Sequence, residues 1–130
     1  MKKIFQSLIA LLLVTSIQAQ TVVFDEDFEG GALPTGWSQS YASGSVDWTF
    51  QTGGEYSNPA AAHGGTYNAT FYSGNYNEDA TLLVTPAIDL TNYTSCELTF
   101  YHSMVEWYGD LDSLRVYYKT SAGGSWNLLQ

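Results

Sequence analysis

Cys96, Leu98, Phe100, His102 and Met104 fall on one parity, and Glu97, Thr99, Tyr101 and Ser103 on the other. Successive side chains of a strand point to opposite faces, so this two-residue period predicts a strand with one apolar face and one wet face. It is the clearest half-buried strand in the chain, and a sustained 3.6-residue period is almost absent after residue 20. Aromatics supply 15% of the residues, with ten Tyr and four Trp, and their runs are broken by Gly, Asn and Ser. That punctuation favours short strands with turns. The expectation is therefore an all-β fold, a sandwich of antiparallel strands.

Other strands follow from the same pattern. Val22, Phe24 and Phe28 oppose Asp25, Asp27 and Glu29, which predicts a first strand over residues 22–28 with an acidic face, ended by Gly30 and Gly31. Leu33-Pro34-Thr35-Gly36-Trp37 reads as a turn that delivers Trp37 to the core. Further strands are expected over 46–51, around Trp48 and Phe50, over 67–73, and over 80–85, where Pro86 stops the last of these. Residues 53–66 form a long Gly-, Ala- and Asn-containing loop, either a functional rim or a mobile segment. Leu114, Val116 and Tyr118 alternate with Ser113, Arg115 and Tyr117, and residues 122–124 turn that strand back into Trp126 and Leu128. Trp37, Trp48 and Trp126 are expected in the core. The last strand meets Gln130 with no polar tail, which carries the expectation of a fragment lacking its closing strand.

Residues 1–19 read as a cleavable secretion signal. Lys2 and Lys3 precede an apolar run over 4–17, and Ala19 supplies a small residue before the cut at Gln20. The run is shorter than the roughly 20 apolar residues of a membrane span, so no membrane insertion is expected once the signal is removed. Residues 20–130 suffice for one domain, and the protein is expected to be secreted or held at the cell surface.

Beyond the signal, only Arg115 and Lys119 stand against thirteen acids. Such a surface repels phosphate backbones and anionic lipids, which argues against nucleic-acid and membrane-surface binding and favours divalent cations. Cys96 is the only cysteine, so no intrachain disulfide can form.

Three blocks in order bear on kinship: 24–37, Phe24-Asp25-Glu26-Asp27-Phe28-Glu29-Gly30-Gly31 through Leu33-Pro34-Thr35-Gly36-Trp37; 83–90, Leu83-Val84-Thr85-Pro86-Ala87-Ile88-Asp89-Leu90; and 112–126, Asp112-Ser113-Leu114-Arg115-Val116-Tyr117-Tyr118 through Gly123-Gly124-Ser125-Trp126. Together they resemble the cleaved-adhesin, choice-of-anchor and MAM-like group of domains in exported bacterial surface proteins of Bacteroidetes type. The resemblance implies a two-sheet antiparallel jelly roll that binds protein or carbohydrate and is not itself catalytic. It also implies a structural calcium ion near the acidic first strand, with Asp27 and Glu29 as the matching ligands. The residues alone leave two readings open, a solvated acidic face or carboxylates sharing a cation.

Candidate binding residues are Trp107 and Tyr108, which precede Gly109-Asp110 at a loop tip. Flat aromatic faces there suit a sugar ring or a protein partner, although packing in the core or at the rim accounts for them somewhat better. Tyr56, Tyr67, Tyr72 and Tyr76 could add to such a platform. His63, His102 and Cys96 are not at zinc-ligand spacing, and no recognised nucleophile motif occurs. The expected role is a non-catalytic adhesion or binding module. Its rivals are an accessory domain of a secreted hydrolase, whose catalytic part lies beyond residue 130, and a structural spacer.

Overall fold

The computed structural model describes residues 20–74 and 77–129. The expected signal, as well as Asn75 and Tyr76, lie outside the described residues. Six short strands follow in chain order: β1 (Ser38–Ser43), β2 (Trp48–Gln51), β3 (Asn68–Phe71), β4 (Ala80–Val84), β5 (Tyr117–Tyr118) and β6 (Asn127–Leu128). One 3-10 turn, Glu55–Ser57, is the sole helical element among the described residues. The fold is all-β, as the residue pattern requires.

Pairing is nested. β2 and β3 run antiparallel with Trp48 opposite Phe71 and Gln51 opposite Asn68. Around them β1 pairs antiparallel with β4, Ser38 opposite Val84 and Tyr41 opposite Thr81, with a register shift between Tyr41 and Ser43. β5 and β6 make a separate ribbon, in which Tyr117 faces Leu128. Three two-stranded ribbons thus stand where two larger sheets were expected.

Side chains bind the two nested pairs to each other. The Gln39 amide grips the backbone of Trp48 twice, its Nε2 donating to the carbonyl at 3.2 Å and its Oε1 accepting from the N–H at 2.7 Å. The Trp48 indole N–H donates to the Thr81 carbonyl at 2.8 Å, and the Thr81 hydroxyl donates to the Val46 carbonyl at 2.6 Å. Trp48 thereby joins β1, β2 and β4, while its ring lies 5.4 Å from that of Phe71. Most polar groups named here are paired within the two ribbons, and Asn68 Oδ1 in β3 is the buried side-chain atom left without a partner among the described residues.

Residues 33–37 form the expected turn, closed by the Trp37 N–H on the Pro34 carbonyl at 3.0 Å with Gly36 at φ 83°. It sets Trp37 against Phe24 at 6.0 Å and Phe28 at 5.5 Å, and Phe28 in turn meets Phe50 at 5.6 Å. Gly53 is the one buried residue among those described. Its φ of 70° and the Pro59 carbonyl 2.6 Å from where a Cβ would sit leave room for no side chain.

Several expected elements differ. Residues 22–28 form no strand; Phe24 and Phe28 are half-buried and Asp25, Asp27 and Glu29 exposed as the alternation predicts, but Val22, expected on the apolar face, is 73% exposed. The physical reason is local. Glu26 accepts the Phe28 N–H at 2.8 Å and Asp27 accepts the Glu29 N–H at 3.0 Å, so acidic side chains take amides that a ladder would use. Phe28 also sits at φ 61°, outside the strand region.

Residues 96–104 form no strand either, and every residue there is exposed. Alternation supplies a face that can be buried, but a strand also needs a ladder partner, and none among the described residues pairs with this stretch. Leu98 and Phe100 instead line a cleft of about 170 Å³ with Phe24, Phe28 and Trp37. The predicted strand over 114–118 shrinks to β5, and of the three tryptophans expected in the core Trp37 and Trp48 are only half-buried and Trp126 is 40% exposed, no hydrophobic side chain among the described residues being fully buried. β1, a polar run of Ser, Gln, Tyr and Ala, was not expected at all.

Candidate functional site

A surface cluster of rings assembles at one hairpin tip. Trp107 and Asp110 exchange backbone hydrogen bonds of 2.9 and 3.0 Å across Tyr108 and Gly109, whose φ values are 52° and 88°. Positive φ at both central positions is the type I′ turn of a two-residue hairpin. Asn, Asp or Gly suits the first of those positions. A Tyr there is held in the left-handed region at a cost of about 1 kcal/mol, and the residue is 97% exposed.

The tip does not stand alone. The Tyr56 ring stacks on Trp107 at 5.4 Å and 19°, Tyr108 meets Trp107 edge-on at 5.5 Å and 87°, and Tyr72 meets Tyr56 edge-on at 5.9 Å. The hydroxyls of Tyr56 and Tyr72 lie 3.4 Å apart. That contact, followed by partial desolvation and the nearby charges of Tyr56 and Glu55, raises the pKa of Tyr72. Tyr56 and Ser57 also have positive φ, 50° and 61°, so the loop following Gly54 holds its ring outward by the same kind of strained backbone. Four exposed rings from residues 56, 72, 107 and 108 form a continuous aromatic surface.

Trp107 and Tyr108 are thus brought together as their sequence position indicates, and Tyr56 and Tyr72, already named as possible platform residues, join them. Tyr67 lies elsewhere, with its ring beside Gly31. His63, assigned no role from sequence, stacks on Tyr101 at 3.4 Å and 11°.

Asp27 and Glu29, the candidate calcium ligands, are engaged with backbone. One Glu29 carboxylate oxygen accepts the N–H groups of Thr66 at 2.6 Å and Tyr67 at 2.8 Å. These bonds, Tyr67 first and then Thr66, hold the Glu29 carboxyl below the usual carboxylate range despite slight opposing desolvation. Glu29 is therefore a clasp between the N-terminal segment and the start of β3, a role that the sequence did not reveal because its partners lie 37 and 38 residues away. Both bonds use Oε1, and Asp27 uses Oδ1 for its own bond, so a second oxygen of each carboxylate stands outside these contacts.

Among the described residues, no three His, Cys, Asp or Glu side chains group as metal ligands would. Nor is any helix there long and apolar enough to cross a membrane. With the geometry in view, no family model, curated protein or solved structure matches this chain.

Proposed function

We propose that this chain is a non-catalytic binding module of an exported protein, wound as a jelly roll of the MAM-like and cleaved-adhesin kind, which meets protein or glycan partners through Trp107 and Tyr108. The observation that carries the reading is the outward aromatic surface at the 107–110 hairpin. A Tyr held 97% exposed by a strained turn adds little to packing beyond its edge contact with Trp107, and such strain is characteristic of contact sites. Support for the winding comes from the nesting of β2–β3 inside β1–β4, the order in which a jelly roll coils its strand pairs.

Calcium belongs to the same proposal. The carboxylates of Asp27 and Glu29 would hold it through the oxygens not used by backbone N–H groups, with other oxygens completing a shell of six to eight. Its contribution would be structural, joining the N-terminal segment to the loop already clasped by Glu29.

A binding screen against glycans and extracellular matrix proteins, run with the full chain and with Trp107→Ala, tests the role. Binding that Trp107→Ala removes supports it. Binding unaffected by that change would place the contact surface elsewhere.

A further inference from the structure

We infer that the ring cluster of Tyr56, Tyr72, Trp107 and Tyr108 takes the guanidinium groups of an arginine-bearing segment of a partner protein. This rests on the proposed binding role and names the ligand chemistry within it. Two observations select a cation over a neutral sugar, and a third selects a guanidinium over an ammonium.

The first is charge. Glu55 adjoins Tyr56 in the chain, and Asp110 closes through its backbone the turn that carries Tyr108, so two acidic residues flank the ring-bearing positions. Only Arg115 and Lys119 offer positive charge after residue 19, against thirteen acids. A negative surround strengthens the attraction of an aromatic face for a cation and adds nothing to its attraction for an uncharged pyranose.

The second is precedent within the molecule. Lys119 Nζ sits 4.7 Å from the centre of the Trp126 ring, so one of the chain's own cations already occupies an exposed aromatic face. Lys119 is further held by the Ala122 carbonyl at 2.9 Å, within the turn that joins β5 to β6.

Shape is the third. Tyr108 stands at 87° to Trp107, which leaves a right-angled corner between one ring's face and the other's. A flat, weakly hydrated guanidinium can stack on the exposed ring of Tyr108 beside Trp107, whose other contact is the stacked Tyr56, whereas an ammonium can act only as a point charge.

Titration of the full chain with hexa-arginine, hexalysine and a neutral β-1,4-linked glucose hexaose tests the inference, using Trp fluorescence or calorimetry. Hexa-arginine is expected to bind about fivefold more tightly than hexalysine. Tyr108→Asn should weaken hexa-arginine about fivefold. Asn suits the type I′ position, so that variant keeps its turn and its cooperative melt. Glu55→Gln should weaken both peptides.

Equal affinity for the two peptides, unchanged by Tyr108→Asn, would show diffuse charge attraction and overturn the inference. Hexaose binding that depends on Tyr108, without hexa-arginine binding, would overturn it while leaving the binding role intact. Failure of all three probes would overturn it as well, and the broader screen would then decide the binding role separately.

Discussion

Trp48 and Trp126 are the same side chain in two different settings. Trp48 is half-buried, gripped through its backbone by Gln39, bonded through its indole to Thr81, and set against Phe71. Trp126 is exposed and lies beneath one lysine. Around Trp48 the chain closes two nested strand pairs over residues 38–84, whereas residues 87–129 contribute two strands of two residues each and expose nearly every side chain. An apolar side chain is drawn out of water when the backbone beside it is also satisfied, and hydrophobicity alone does not bring this about.

The largest test of that contrast is truncation of the two tryptophans. Trp48→Ala should cost about 3 kcal/mol, the low end for a buried Trp because part of the ring is wet. Trp126→Ala should cost less than about 1 kcal/mol, the value of an exposed cation–π contact. Chemical denaturation of the two variants checks both, and equal losses would erase the distinction between the regions.

A smaller effect, opposite in sign, is expected at the hairpin tip. Tyr108→Asn relieves a left-handed aromatic residue and should raise stability by about 1 kcal/mol. A loss on the same denaturation curves would make Tyr108 a packing residue and would remove the strain argument for its role.

The finest effect is one of slope, at Glu29. Its carboxyl is held below its ordinary value of 4.5 by the Tyr67 and Thr66 amides. The stability it supplies is therefore complete above that value and is lost as pH falls through the lower folded value. Glu29→Gln keeps an acceptor and removes the charge, so the gap in Tm between wild type and variant should narrow on acidification from about pH 5 to about pH 3. A gap that stays constant would show that the charge does not act through this clasp.

Much of the ordered half was legible before folding. The strands around Trp48, Phe71 and Leu83 announce themselves through aromatic and β-branched residues, and the Pro34–Trp37 turn through its Gly36. β1 was not legible, because Ser38–Ser43 is polar and becomes a strand only through its ladder with β4. Residues 96–104 show the reverse case, a persuasive alternation with no ladder to complete it. At the site, the Tyr108-Gly109 tip could be read from composition. The stacking of Tyr56 on Trp107 could not, since 51 positions separate them and only the path of the loop brings them together.

Amide hydrogen exchange on the full chain tests the central claim most directly, because protection reports ladder hydrogen bonds residue by residue. The account predicts slow exchange in β1 to β4, with Trp48 among the slowest amides, and fast exchange through residues 96–104. Protection across 96–104 equal to that of β2 and β3 would contradict it, since that stretch would then be the paired strand its alternation describes.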